Sequence, residues 1–311
     1  MPLTVSPRRF VAISRAALFS LVTIVVTGSL VRLTGSGLGC DDWPACNERR
    51  FVDVTTGHAA IEQVNRLFTG VVAAAVVLAV LASFFVAPRR RILRWLAAGQ
   101  VAGVAAQVVI GGIVVLTGLN PWSNMVHFLV SVVLVTLGVL LVDEAREYRP
   151  DGAVGPATSR LALGACAMAA AAMVLGTVVT ATGPHAGDPD APRFDLDLGS
   201  TARLHSASVL ACLGLLAILS LRLARSPVER AVLGGPVQTV LAVGLLQGFV
   251  GYLQYFAGVP ALLVAVHIAL SMAFWIAVVR VARLALIAGR RPSPAGRESH
   301  GRAPGRAATR R

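Results

Sequence analysis

The chain has 311 residues, of which 56% are hydrophobic and only 14% charged, against about 25% charged in an ordinary soluble domain. With a mean hydropathy of +0.73, this composition excludes a soluble enzyme and makes lipid the expected solvent. The formal net charge of +13 sits in the connections between apolar blocks, where it reports topology and not nucleic-acid binding.

Apolar blocks long enough to cross a bilayer, about 20 residues each, fall near 12–32, 60–86, 95–117, 122–142, 160–181, 201–223, 233–257 and 260–284. Runs such as Val71 to Val86 and Val130 to Val142 are apolar all round, as lipid-embedded helices must be. The predicted fold class is an all-α integral membrane protein of eight transmembrane helices in two four-helix bundles. Its expected divisions are an N-terminal segment 1–11, a first half 12–142, a linker 143–159, a second half 160–286 and a disordered basic tail 287–311.

Along the chain, basic residues occupy alternate connections. Arg8, Arg9 and Arg15 lie before or within the start of the first block, and no clear small-residue cleavage site follows, so that block is expected to stay as a helix. Arg89, Arg90, Arg91 and Arg94 join the second and third blocks, and Arg222, Arg225 and Arg230 join the sixth and seventh. Arg280, Arg283, Arg290 and Arg291 lie in or after the last. By the positive-inside rule these segments are cytoplasmic, and with them both termini. The intervening loops are acidic, with Asp41, Asp42, Glu48 and Asp53 in one and Asp188, Asp190, Asp195 and Asp197 in another. The connection from Asp143 to Arg160 is mixed in sign, and only the alternation places it inside.

The two halves repeat. Asn65 and His205, Gln107 and Gln247, Gly111 and Gly251, Gly118 and Gly258, and His127 and His267 are each separated by 140 positions. In the first block of each half, Gly28 and Gly35 match Gly176 and Gly183 at an offset of 148. A unit with an even number of spans keeps its orientation on duplication, so this is a parallel repeat about an axis along the membrane normal. Two similar pockets are the expectation.

His127 and His267 fall six and seven residues after Pro121 and Pro260, roughly 9–11 Å below the outer helix ends at about 1.5 Å per residue. A lone histidine near a helix end can be simply a hydrogen-bonded packing residue. His205 and His267, on alternate even-numbered helices of one half at similar depth, read instead as the two axial ligands of a haem in a membrane bundle. Glu62 has two readings, a first-turn carboxylate favoured by the helix dipole or a group that moves protons in a partly dry site. Cys166 and Cys212 are packing residues in spans. Cys40 and Cys46 lie in the first outer loop, where an oxidising compartment permits a disulfide, either a staple or a redox-exchanging pair.

The segment Gly28-Ser-Leu-Val-Arg-Leu-Thr-Gly-Ser-Gly-Leu-Gly-Cys-Asp-Asp-Trp-Pro-Ala-Cys46, followed by Ile61-Glu-Gln-Val-Asn-Arg66, closely resembles the start of haem A synthases, and the resemblance runs over all eight blocks through His127, His205 and His267. It implies an oxidoreductase that converts the methyl group at ring position 8 of haem O to the formyl group of haem A, for terminal oxidases. It implies a resident haem b held by His205 and His267, a substrate haem O ligated by His127, a catalytic Glu62 and an outer-loop cysteine pair at Cys40 and Cys46. Arg32, Arg66 and Arg203 are candidate partners for haem propionates, or interfacial anchors. The implied partners are haem O, the farnesyltransferase that produces it, an electron-transfer protein and the lipid bilayer. The chain departs from the family pattern at Asn65, where many members carry a second histidine. Asn65 is then read as orienting a water or a propionate, with His58, two turns up the same face, as the competing ligand. The rival function on the same fold is a di-haem b-type electron-transfer subunit.

The topology predicts that a membrane-impermeant thiol reagent, applied to intact cells after mild reduction, labels Cys40 and Cys46. Labelling only after membrane rupture would reverse the orientation.

Overall fold

The computed structural model describes residues 4–289. They form eight helices, α1 (Pro7–Leu33), α2 (Gly57–Phe85), α3 (Arg91–Leu116), α4 (Pro121–Ala145), α5 (Pro156–Thr182), α6 (Leu198–Ala224), α7 (Pro227–Phe256) and α8 (Ala261–Gly289). All eight are long and apolar enough to cross a membrane, and at about 1.5 Å per residue they measure roughly 38–45 Å, enough to pass from one headgroup layer to the other. The protein is a multi-pass membrane protein.

The helix starts are written in short polar signals. Ser6, Thr56, Asn120, Asp197 and Ser226 each accept a backbone N–H of the first turn through the side chain, and Pro7, Pro121, Pro156 and Pro227 stand at the following position, where a missing N–H costs nothing. The turns that end α3 and α7 repeat one another. Gly118 and Leu119 both have positive φ, as do Gly258 and Val259, so each half makes the same left-handed step from its third to its fourth helix.

Within each half the helices close a ring. α1 packs on α2, α2 on α3, α3 on α4 and α4 on α1, and the same cycle runs through α5, α6, α7 and α8. Across the halves, α1 meets α8, α4 meets α5, and α4 meets α8. Exchanging α1 with α5 and α4 with α8 maps these contacts onto themselves, as a parallel repeat requires. One apolar core runs through both rings, from Phe10, Leu21 and Val76 to Leu216, Met272 and Val278. Large side chains such as Val71, Leu81, Leu221, Leu245 and Phe249 point outward, toward lipid.

Most helix starts, and the ends of α4 and α8, lie outside the apolar blocks. α4 absorbs Asp143 and Glu144 from the expected linker because both carboxylates are neutralised there. Glu144 pairs with Arg90 at 2.5 Å and Arg149 at 3.5 Å, and also with Arg283. Asp143 pairs with Arg280 at 3.5 Å and Arg283 at 3.8 Å. The mixed sign of this connection is therefore an ion-pair knot joining α3, α4 and α8. α7 begins early because Glu229, buried against α5, accepts from Gly155 N at 2.7 Å and Thr158 Oγ1 at 2.7 Å. α8 continues to Gly289, so residues 287–289 of the expected tail are helical, and the rest of that tail lies outside the described residues.

Removing the charge at the centre of the knot leaves Arg90 partly buried without its closest partner, at a cost of about 3 kcal/mol. Glu144→Gln is expected to lower the thermal midpoint of the detergent-purified protein clearly, with little effect from Glu147→Gln on the exposed rim of the same cluster.

Candidate haem and carboxylate sites

In the second half, His205 on α6 and His267 on α8 face each other with ring centres 6.4 Å apart and planes at 71°. Two imidazoles sharing one iron at about 2 Å per nitrogen have their centres about 6 Å apart. Each ring rests on a glycine of the neighbouring odd-numbered helix. A Cβ at Gly176 would lie 3.2 Å from His205 Cε1, and one at Gly251 would lie 3.0 Å from His267 Cε1. Both are tighter than nearly all real Cβ contacts, so the rings sit between helices with the room that a missing side chain leaves.

Hydrogen bonds also set the tautomers. The His205 Nδ1–H donates to the Ala172 carbonyl at 2.9 Å, leaving Nε2 with a free lone pair. The Gln247 amide donates to His267 Nε2 at 3.1 Å, which likewise puts the lone pair on Nε2. Nδ1 of His267 is buried without a partner. An iron ligand at His267 would take the place of the Gln247 amide. Spacing, tautomers and glycine cradles all fit a six-coordinate haem.

The first half has the same layout with looser contacts. His127 on α4 stands over Gly111 of α3, 3.5 Å from the position of an added Cβ, and Asn65 on α2 stands over Gly28 of α1 at 3.8 Å. His127 Nδ1 and Asn65 Oδ1 are both buried without partners. Gln107, the counterpart of Gln247, does not reach its histidine ring. Its amide donates instead to the His127 carbonyl at 2.9 Å and to Ser131 Oγ at 2.5 Å. His58 is exposed in the first turn of α2, its Nδ1 2.9 Å from Ser36 Oγ.

One turn outward of Asn65, Glu62 has only 7% of its side chain exposed. Its Oε2 accepts from Cys40 N at 2.8 Å, and its Oε1 accepts from Arg66 Nε at 3.0 Å and Nη2 at 2.7 Å. Arg66 also donates to the carbonyls of Cys40, Asp42 and Ala45 at 3.1–3.2 Å. Cys40 and Cys46 are joined in a buried disulfide. Trp43, between them, lies 5.3 Å from the Arg66 guanidinium and covers Gly112, where a Cβ would come within 2.5 Å of the indole. The loop between α1 and α2 is therefore clamped over the ends of α2 and α3. Its far side is fixed by Asp53, whose carboxyl is held well below the usual range by hydrogen bonds from Thr55 and Asn47, with Arg50 adding to them.

The three candidate arginines differ. Arg66 has its donors committed to Glu62 and the loop. Arg203 is exposed and lies beside Ser200 and Asp197. Arg32 donates to the Thr180 carbonyl at 2.7 Å across the two halves, and its Nε is buried without a partner. Roles for Gln247, Trp43 and the glycine cradles do not follow from residue type, although Gln107 and Gln247 and Gly111 and Gly251 stand out in the 140-position repeat, and Gly28 and Gly176 at the offset of 148.

Residues 12–187 match the family described as cytochrome oxidase assembly protein, which is more than half of the chain. The chain belongs to that family. Haem A synthases are among the proteins it resembles. One from Bacillus pumilus is 35% identical over 132 residues, covering 41% of this chain and 43% of the relative. One from Listeria welshimeri is 30% identical over 135 residues, covering 41% and 44%, and one from Geobacillus thermodenitrificans is 30% identical over 132 residues, covering 40% and 42%. The alignable segment thus spans less than half of these relatives' length. The family match takes in Cys40, Glu62, Asn65 and His127, whereas His205 and His267 lie beyond it and rest on the repeat and the geometry.

Replacing either His205 or His267 with Ala is expected to abolish the low-spin b-type spectrum of the purified protein. A full complement of low-spin haem b in both variants would remove the pair as ligands.

Proposed function

We propose that this member of the cytochrome oxidase assembly protein family is a haem A synthase, oxidising the methyl group at ring position 8 of haem O to the formyl group of haem A. What carries the reading is the asymmetry of the two sites. The second half offers two matched imidazoles, as a permanently held haem needs. The first half offers one imidazole, a buried amide in place of the other, and a carboxylate one turn away.

In this reading His205 and His267 hold haem b, which supplies an electron-transfer centre when bound. His127 ligates the substrate haem O through the face opposite Asn65, and Asn65 orients a water or a propionate on the other side. Arg32, with an uncommitted Nε, is the candidate among the arginines for a substrate carboxylate. Arg66 acts on Glu62 instead. Its guanidinium holds the carboxylate in place, so that Glu62 can assist proton removal from the methyl group or stabilise positive charge developing there. The clamped loop, with Trp43 over α3, keeps bulk water from the carboxylate.

The same reading places the protein in the cell membrane with both termini cytoplasmic. A haem O-producing farnesyltransferase would supply its substrate, water would supply the formyl oxygen, and an electron-transfer partner would take up the electrons removed while the protons pass to solvent.

Pigment extraction tests the proposal. The parent protein is expected to yield haem O and haem A besides haem b, whereas an electron-transfer subunit would yield b alone. Glu62→Gln should insert normally, keep its haem b and accumulate haem O or a partly oxidised product. Undiminished haem A from that variant would take Glu62 out of the mechanism.

A further inference from the structure

At the end of the bundle that carries the arginine-rich connections, the start of α1 and the end of α4 enclose a recess of about 350 Å3 lined by Pro7, Arg8, Val11, Arg15, Ala145 and Arg146. Arg8 and Arg15 of α1 and Arg146, which caps α4, line it. Among the described residues none of the three has an ion-pair partner, because the nearby carboxylates are engaged elsewhere. Glu144 pairs with Arg90, Arg149 and Arg283, and Asp143 with Arg280 and Arg283. Burial and the neighbouring Arg15 and Arg280 push the Arg146 guanidinium below its ordinary value, with Asp143 opposing them, as expected where positive charge accumulates without an anion.

A general excess of arginine at this end would appear in both halves. The repeat places Pro156, Leu163 and Leu286 at the positions equivalent to Arg8, Arg15 and Arg146, so the cluster belongs to the first half alone. The other walls, Pro7, Val11 and Ala145, are apolar, with Val11 and Ala145 belonging to the edge of the apolar core. A ligand that satisfies both surfaces carries an anionic head with paired oxygens next to an acyl chain. We propose that this recess binds the phosphate of an anionic phospholipid, with Arg15 and Arg146 gripping its oxygens through their planar forks, Arg8 closing the site, and the first acyl carbons lying on Val11 and Ala145.

The test uses the full chain purified in detergent, with added phosphatidylglycerol, phosphatidylcholine or inorganic phosphate, read by thermal midpoint and by native mass spectrometry. Phosphatidylglycerol is expected to raise the midpoint and to remain bound, and the other two are not. The double variant Arg15→Gln/Arg146→Gln should lose most of that shift and of the retained lipid, whereas Arg225→Gln/Arg230→Gln, altered at the same end of the second half, should keep both. If the first double variant fails to fold, Arg15→Lys/Arg146→Lys keeps the charge without the fork and should weaken lipid retention several-fold. An equal shift with phosphatidylcholine overturns the proposal, and so does a shift reproduced by inorganic phosphate, which would make the site one for a free anion. Full retention of lipid in the Gln or the Lys variant also overturns it.

Discussion

Hydrocarbon offers no hydrogen-bond partner, so every polar group carried into a membrane bundle has to be satisfied by the protein or by what the protein binds. In this chain the constraint is met by several devices. Serines and threonines in the spans turn back onto the carbonyl three or four residues earlier, as Ser14 does onto Phe10 and Thr136 onto Val132. Glu229 is met by a helix start and Glu144 by a ring of arginines. Among the groups left over, Asn65 Oδ1, His127 Nδ1 and His267 Nδ1 each lie where one helix faces a glycine of the next, while the Gln100 amide is left over within the core of the first half.

The glycines explain why the sites lie where they do. An imidazole between two helices needs more room than a Leu-on-Leu contact gives, and removing the opposing Cβ makes that room without moving the helices apart. The second half uses the device tightly on both sides, at 3.0 and 3.2 Å, and the first half loosely, at 3.5 and 3.8 Å.

Much of this was legible before any coordinates. The eight blocks, the repeat and the depth of the histidines follow from hydropathy and spacing, because lipid imposes a length and a duplication preserves an offset. What the sequence could not show is how charges settle. Asp143 and Glu144 read as the start of a polar linker, yet they extend α4, since their partners come from α3 and α8, residues away in sequence by more than fifty and more than a hundred positions. Arg66 read as a possible propionate partner, yet its donors go to Glu62 and to three loop carbonyls. Both outcomes depend on which distant chain segments meet, and periodicity carries no information about that.

One pair in the knot joining the halves has a consequence of its own. Asp143 and Arg283 stand 140 positions apart, at the same place in the two repeats, and they contact each other where α4 meets α8. Two identical halves meeting about the same axis would set aspartate against aspartate, or arginine against arginine. Opposite charges at this position therefore let each half accept the other and reject a copy of itself. The seam of this single chain is in this way complementary in charge where the sequence repeats, as the seam of a heterodimer is.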